Sequence, residues 1–271
     1  MEILVSSKWL NEHLTDLDLI ILDTSGANTI SGDTSKLKNT RIKGARLFDL
    51  KNKFSDKKST FPSMLTTPEI FELECRKLGI NKSSKIVVYD NIGAYWSPRV
   101  WWMFKTMGHD NIAVLDGGLI DWITKGYKIE EINTSEIYSL GNFEAHFESK
   151  MLSSFDDVFA NTNQAKSLLI DARSADRFNG IIPEPRKGLR SGHIPNAINI
   201  PYENVFHQGK FKTKKVLKTI FKALEKEERP LIFSCGSGIT ACIVLFASEL
   251  VIKNKKSIYD GSWTEWAQRV K

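Results

Sequence analysis

The sequence predicts an α/β fold of two similar domains, each a mostly parallel sheet flanked by helices. Three observations predict it. The chain has 271 residues, a length that suits two domains of ordinary size better than one. It repeats itself at a period of about 145–150 residues, which is a whole domain and not a solenoid unit. Short, continuous apolar runs alternate with helical stretches along both halves.

Four paired segments carry the repeat. Leu19-Ile20-Ile21-Leu22-Asp23 pairs with Leu168-Leu169-Ile170-Asp171, an apolar run ending in Asp. Arg41-Ile42-Lys43-Gly44-Ala45 pairs loosely with His193-Ile194-Pro195-Asn196-Ala197. Ile86-Val87-Val88-Tyr89-Asp90 pairs with Leu231-Ile232-Phe233-Ser234-Cys235. Leu115-Asp116-Gly117-Gly118, followed by Trp122, pairs with Tyr259-Asp260-Gly261-Ser262, followed by Trp266.

Taken in order, the elements support the fold class. A helix is expected over 67–78, because Thr67 precedes Pro68 and Glu69 at its start and Gly79 stops it. Strands are expected over 86–89, 113–115, 168–170 and 231–233. These runs are apolar without alternation, which suits strands buried on both faces. Further helices are expected over 98–107, 155–161, 216–224 and 240–250. The stretch 128–151 is polar and has no clear period. The expected division is therefore a first domain over 1–135, a linker over 136–151 and a second domain over 152–271.

Composition narrows the function classes. Hydrophobic residues make up 41% and charged residues 26%, the balance of a soluble globular protein. The net charge is +6, with Lys scattered through polar segments such as Lys210 to Lys218 and acidic residues soon after. That pattern reads as a solvated surface and not as a nucleic-acid groove, although a mild positive field favours anionic substrates. The three cysteines, Cys75, Cys235 and Cys242, are odd in number and unevenly spaced. This argues against a disulfide framework and for a reducing compartment. No CxxC pair or His/Cys cluster has zinc-ligand spacing, so no metal and no cofactor is expected. The start of the chain has neither a secretory nor an Arg-rich transit pattern, and no apolar run reaches membrane-spanning length. The expected location is the cytoplasm, with no membrane partner.

The segment from Leu231 to Ala241 carries the chemistry. An apolar strand runs into Cys235-Gly236-Ser237-Gly238, and a helix follows near Thr240. Ligands of parallel α/β sheets bind just past the carboxyl ends of strands. Glycines let such a loop curl so that several N–H groups point inward, and the helix adds the positive end of its dipole. That setting favours the thiolate of a cysteine placed there. A plainer reading also fits the loop: a small buried Cys at a strand end, with glycines that serve only the turn. Cys242, inside the helix, and Cys75, on an amphipathic helix, read as core residues.

Here the chain resembles the tandem-domain rhodanese-like sulfurtransferase family, and most of all its members that use 3-mercaptopyruvate. The resemblance runs over essentially the whole chain. It rests on Gly192-His193-Ile194-Pro195-Asn196-Ala197-Ile198-Asn199-Ile200-Pro201, on the Cys235 loop, and on Tyr259-Asp260-Gly261-Ser262-Trp263-Thr264-Glu265-Trp266. It implies two similar α/β domains with the active cysteine only in the second. Asp90 occupies the matching position in the first half, and a carboxylate cannot accept sulfane sulfur. Phosphatases of related fold carry an Arg six residues after the Cys. Ala241 stands there in this chain, which leaves no bidentate phosphate clamp. Family members that prefer thiosulfate carry basic residues directly after the Cys, where this chain has Gly236 and Ser237.

The resemblance also implies roles. Cys235 is the nucleophile and forms a persulfide. The backbone of Gly236, Ser237, Gly238, Ile239 and Thr240 stabilises the sulfur. Arg177 and Arg186 bind the donor's carboxylate and keto groups, whereas Arg173 and Arg190 are structural or rim residues. Ser237 and Thr240 hydrogen-bond to sulfur or relay a proton, and Ser262 either reaches the pocket or shapes its turn. The implied partners are a small sulfur donor and a thiol acceptor such as thioredoxin, glutathione or cysteine, with cyanide as an assay acceptor. The chain departs from the family where an Asp and a His of the first domain are expected to face the site. Lys51 and Ser63 stand there instead. A Lys at the mouth of the site also suits an anionic donor, which keeps thiosulfate open as the donor. A persulfide carrier or binding module that does not turn over is the remaining alternative.

Overall fold

The structure, a computed structural model, describes residues 1–26, 29, 37, 39–133 and 135–270. Contacts divide the chain into two compact units. The first comprises Met1–Lys57, Leu65–Phe147 and Gln208–Lys210, and the second Lys58–Met64, Glu148–His207 and Phe211–Lys271.

In the first unit, the described elements are β1 (Leu4–Val5), α1 (Ser7–Glu12), β2 (Leu19–Asp23), β3 (Thr40–Ile42), β4 (Arg46–Leu47), α2 (Pro68–Lys77), β5 (Lys85–Tyr89), α3 (Ser97–Thr106), β6 (Ile112–Leu115), α4 (Gly118–Thr124) and β7 (Ile129–Glu131). Five strands form a parallel sheet in the order β1-β6-β5-β2-β4, and β3 and β7 make a separate antiparallel pair. The helix expected over 67–78 is α2. Thr67 is its N-cap, Pro68 opens it, and Gly79 ends it at φ +67°.

The second unit holds β8 (Leu152–Ser153), α5 (Phe155–Gln164), β9 (Leu168–Asp171), α6 (Ala175–Phe178), β10 (Ile198–Asn199), β11 (Phe206–His207), β12 (Lys210–Phe211), α7 (Lys214–Ile220), β13 (Leu231–Ser234), α8 (Ile239–Glu249), β14 (Lys256–Tyr259) and α9 (Ser262–Arg269). Lys210, the first residue of β12, clusters with the first unit. The main sheet is again parallel, in the order β10-β9-β13-β14-β8. This is the first unit's order with each strand replaced by its repeat partner. The helix expected over 216–224 starts two residues earlier as α7 and finishes as a separate 3-10 turn, Lys222–Leu224.

The cores explain the apolar patterning. In the first unit Val5, Ile21, Val87, Ala113 and Trp122 pack on one face of the sheet. In the second, Val158, Leu169, Ile232, Trp263 and Trp266 do the same. Four of the five residues of β5 and all four of β13 are buried, as expected for strands covered on both faces. Nine of the eleven residues of α8 are buried, so its apolar character runs all round and not along one stripe.

The stretch 136–151, read from the sequence as a linker, is shared between the units. Its first part lies extended along the first unit. Gly141 N–H donates to the Arg76 carbonyl (2.9 Å), Phe143 N–H to the Ile80 carbonyl (3.1 Å), and the Phe143 ring is fully buried. Backbone bonding of this kind needs no side-chain period, which is why the segment looks unstructured in sequence. Among the described residues, no helix is long and apolar enough to cross a membrane.

Candidate active site

Cys235 directly follows β13, the third of five strands, and it is only 2% exposed. The chain turns through Gly236, Ser237 and Gly238 and enters α8 at Ile239, one residue before the expected start. Gly238 is the N-cap, with φ +78° and ψ −4°, a left-handed conformation that glycine adopts without steric cost. The sequence placed the thiol correctly at the carboxyl edge of the sheet and at the head of a helix.

The start of α9 shapes this loop from behind. Trp263 N–H donates to the Cys235 carbonyl (3.0 Å) and Thr264 N–H to the Gly236 carbonyl (3.1 Å). The Thr264 hydroxyl donates to the same Gly236 oxygen (2.5 Å). In a trans peptide the C=O and the next N–H point in opposite directions. The N–H groups of Gly236 and Ser237 are therefore turned away from α9.

The Ser262 hydroxyl accepts from Cys235 N–H (3.1 Å) and from Gly238 N–H (3.2 Å). This corrects one expectation. Not every loop N–H from 236 to 240 is offered to a ligand, because Gly238 N–H points to Ser262. Ile239 and Thr240 are the first two residues of α8, the former buried and the latter half-buried. Cys242, one turn into α8, is buried with its Sγ 3.1 Å from the Gly238 carbonyl, and Cys75 is buried on α2. Burial pushes the Cys75 thiol well above its ordinary range, as expected of a core residue.

Two guanidinium groups reach the loop. A methyl group added at Gly236 would stand 2.9 Å from Arg177 Nη2 and 3.5 Å from Arg186 Nη1. Arg177, on α6, is clamped by Glu184, with Nη2 to Oε2 at 2.6 Å and Nε to Oε1 at 3.3 Å. Glu184 is also held from below by Arg173 Nη1 (2.7 Å), and Arg173 in turn grips both oxygens of Asp171 at the end of β9. Burial works against the Arg173 charge, but Asp171 and Glu184 outweigh it and hold its pKa above the ordinary arginine value. Arg186 donates to Ser237 Oγ (3.0 Å) and lies 3.4 Å from Thr264 Oγ1.

Of the remaining sequence candidates, Arg173 and Arg190 pack against Trp263. Arg173 is fully buried, bonds the Gly192 carbonyl (2.8 Å) and lies over the Trp263 ring, which Arg190 also covers. His193 stacks on Phe178 and bonds its carbonyl through Nδ1 (2.9 Å), fixing α6. Lys51 is an exposed residue of the first unit. Ser63, half-buried at φ +63°, lies in Lys58–Met64 and groups with the second unit. Sequence reasoning missed Glu184 and Thr264. Glu184 lies seven residues after Arg177, and no simple spacing rule predicts that pair.

Arg186 also lines a cleft of about 350 Å³ with Phe61, Pro62, Lys187, Leu189 and Thr264. A larger cleft of about 690 Å³ opens at the other end of β13, lined by Glu225, Glu227, Lys253 and Lys255, and contains no Cys, Ser or Thr. Among the described residues no group of His, Cys, Asp and Glu is arranged to hold a metal. In the first unit Asp90 takes the place of Cys235 and is fully buried. Its Oδ2 accepts from Trp96 N–H (2.8 Å), Ser97 N–H (3.0 Å) and the Ser97 hydroxyl (2.9 Å), and its Oδ1 from Ile92 N–H (3.0 Å).

Comparison with known proteins agrees with this geometry. The rhodanese-like domain family matches residues 6–125 and 154–269, one match in each half. The 3-mercaptopyruvate sulfurtransferase of Escherichia coli is 38% identical over 270 residues, covering 98% of this chain and 95% of that protein. Thiosulfate/3-mercaptopyruvate sulfurtransferase 2 of Arabidopsis thaliana is 37% identical over 291 residues, covering 98% and 84%. The crystal structure of SseA from Escherichia coli, a 3-mercaptopyruvate sulfotransferase with the rhodanese fold, superposes with a TM-score of 0.83 at 34% identity, covering 97% of this chain and 99% of that one. With the same parallel sheet in each half and family matches over both halves, the chain belongs to the rhodanese-like family.

Proposed function

We propose that this protein is a sulfurtransferase that moves sulfur from 3-mercaptopyruvate, through a persulfide on Cys235, to a thiol acceptor. One observation carries the reading: Arg177 and Arg186 converge over Gly236, the residue that follows Cys235. A 2-oxo acid offers a carboxylate and a keto oxygen side by side, which suits two planar guanidinium groups held in place. The name of the Escherichia coli relative points to the same donor, and that of the Arabidopsis relative carries it beside thiosulfate.

The reaction runs in two halves. The Cys235 thiolate attacks the sulfur of mercaptopyruvate. The new S–S bond forms as the C–S bond breaks, and the electron pair passes to the former C3 of the donor. That carbanion is the enolate of pyruvate, with its charge on the keto oxygen facing the arginines, and one proton converts it to pyruvate. The outer sulfur stays on Cys235 as the persulfide, next to the N–H groups of Gly236 and Ser237. An acceptor thiolate then attacks the outer sulfur, the S–S bond breaks, and Cys235 leaves as thiolate. Cyanide takes the same sulfur as thiocyanate. Two half-reactions through one covalent intermediate give ping-pong kinetics.

The first unit is silent in this scheme, because Asp90 has no sulfur to exchange. Three free, buried cysteines suit a reducing compartment such as the cytoplasm. Thiosulfate is the second reading. Cys235 is followed by Gly236 and Ser237 with no cation, but the two arginines supply positive charge at the same place.

Intact mass and pyruvate release test the proposal together. Incubation with mercaptopyruvate adds the mass of one sulfur to the wild type and none to Cys235→Ser, and pyruvate appears in step. With a small thiol present, turnover continues, which a pure carrier does not do. A higher kcat/KM for thiosulfate than for mercaptopyruvate assigns the donor to the second reading.

A further inference from the structure

The Cys235 loop is bent around a single oxygen atom. Ser262 Oγ accepts from the N–H of Cys235 and from the N–H of Gly238, the first and last residues of the turn. The same hydroxyl donates to the Tyr259 carbonyl at 2.8 Å. Both loop partners are donors, so the hydroxyl proton has only the carbonyl to go to. A hydroxyl has one donor and two acceptor sites, and here all three are used. Ser262 therefore has nothing left with which to bind a substrate or relay a proton.

Its backbone is unusual as well. Ser262 is fully buried and has φ +50°, a left-handed conformation uncommon outside glycine. Such a conformation persists where the surroundings over-determine it, and it is a common companion of functional sites. It allows the next two residues, Trp263 and Thr264, to aim their N–H groups at the carbonyls of Cys235 and Gly236. These N–H groups belong to the first turn of α9 and have no partner inside their own helix. The loop uses them in place of a cap.

We propose that Ser262 is a positioning residue for the sulfur-transfer reaction. Its hydroxyl closes the turn from Cys235 to Gly238, and so fixes where the thiol stands relative to the N–H groups of Gly236 and Ser237. The inference rests on the reaction proposed above for Cys235. It removes the alternative in which Ser262 itself enters the pocket.

The test compares Ser262→Gly with Ser262→Ala in the full chain. Both delete the hydroxyl, but glycine accepts φ +50° and alanine does so only with strain. Stability therefore ranks Gly above Ala. Activity is expected to ignore that ranking. Both variants should lose roughly 10- to 100-fold in kcat for pyruvate release, the scale expected when reacting groups shift by about an ångström, with KM within about threefold of wild type. A purely structural serine makes activity follow stability, so that Ser262→Gly keeps nearly wild-type kcat, and that result overturns the proposal. A second measurement does not depend on the donor. Alkylation of Cys235 by iodoacetamide should change at least about fivefold in Ser262→Gly, a modest fraction of the same effect. If the wild type releases no pyruvate, the proposed reaction fails and alkylation alone decides. An unchanged alkylation rate in Ser262→Gly then counts against the positioning role.

Discussion

Gly236 shows how much one missing side chain can mean. The sequence reads it as a turn glycine, yet the structure gives φ > +20° to Gly238 and not to Gly236. What Gly236 provides is room, since a methyl group there would crowd Arg177 Nη2 at 2.9 Å. The crowded atom is the far end of a side chain, so the backbone need not move, but Arg177 must shift from its place over the loop. Gly236→Ala should therefore raise KM for mercaptopyruvate at least about tenfold, as a displaced bidentate contact would, and leave the thermal midpoint within a few degrees of wild type. Steady-state kinetics and a thermal melt check both halves. Arg177 and Arg186 are legible in the sequence only through the family resemblance. Glu184, which clamps Arg177, is not legible at all, because the pair depends on how the chain from 179 to 186 folds back.

Among the elements, those with strong patterns were readable. The runs at 86–89 and 231–233 are β5 and β13, and the expected helices over 98–107 and 240–250 are α3 and α8 within about a residue. Strands β1, β4, β8 and β10 are two residues long, too short to show any period, and exist through their sheet partners. The antiparallel pair of β3 with β7 joins residues about ninety positions apart, as Arg41 opposite Glu130 shows, and local sequence does not record it. The turn after β5 differs from its repeat in length as well as chemistry. Helix α3 starts seven residues after Asp90 (97 − 90), and α8 starts four after Cys235 (239 − 235).

Burial, the largest influence on Asp90, raises its pKa against the four hydrogen bonds that lower it. A carboxyl whose folded pKa is raised contributes stability below its unfolded pKa of about 3.9, and loses that contribution as pH rises through the folded value. Asn does not titrate, and its amide must turn at least one N–H toward a donor, at a cost of about 1–2 kcal/mol. The stability gap between wild type and Asp90→Asn is thus expected to be widest near pH 4 and to narrow toward pH 7. Urea midpoints at the two pH values measure it. A gap that widens with pH contradicts the assignment of burial as the dominant influence.

For the whole molecule, the repeat places one thiol at a site and two in cores. Cys75 and Cys242 are fully buried in separate units, and Cys235 stands at the turn between β13 and α8. Native protein treated with iodoacetamide near pH 8 should carry one label per chain, on Cys235, and urea-unfolded protein should carry three. Peptide mapping decides it, and early labelling of Cys75 in native protein contradicts the packing described.

The seating of Asp90 also bears on how the two halves diverged. Its carboxylate meets four donors at the same edge of the sheet where the other half keeps a thiol. Replacing it with cysteine would strand those donors in a dry interior before any reactivity was regained, and the turn would still be three residues too long. A return to sulfur chemistry in the first half therefore calls for a shorter turn and new partners for four donors, not for a cysteine alone.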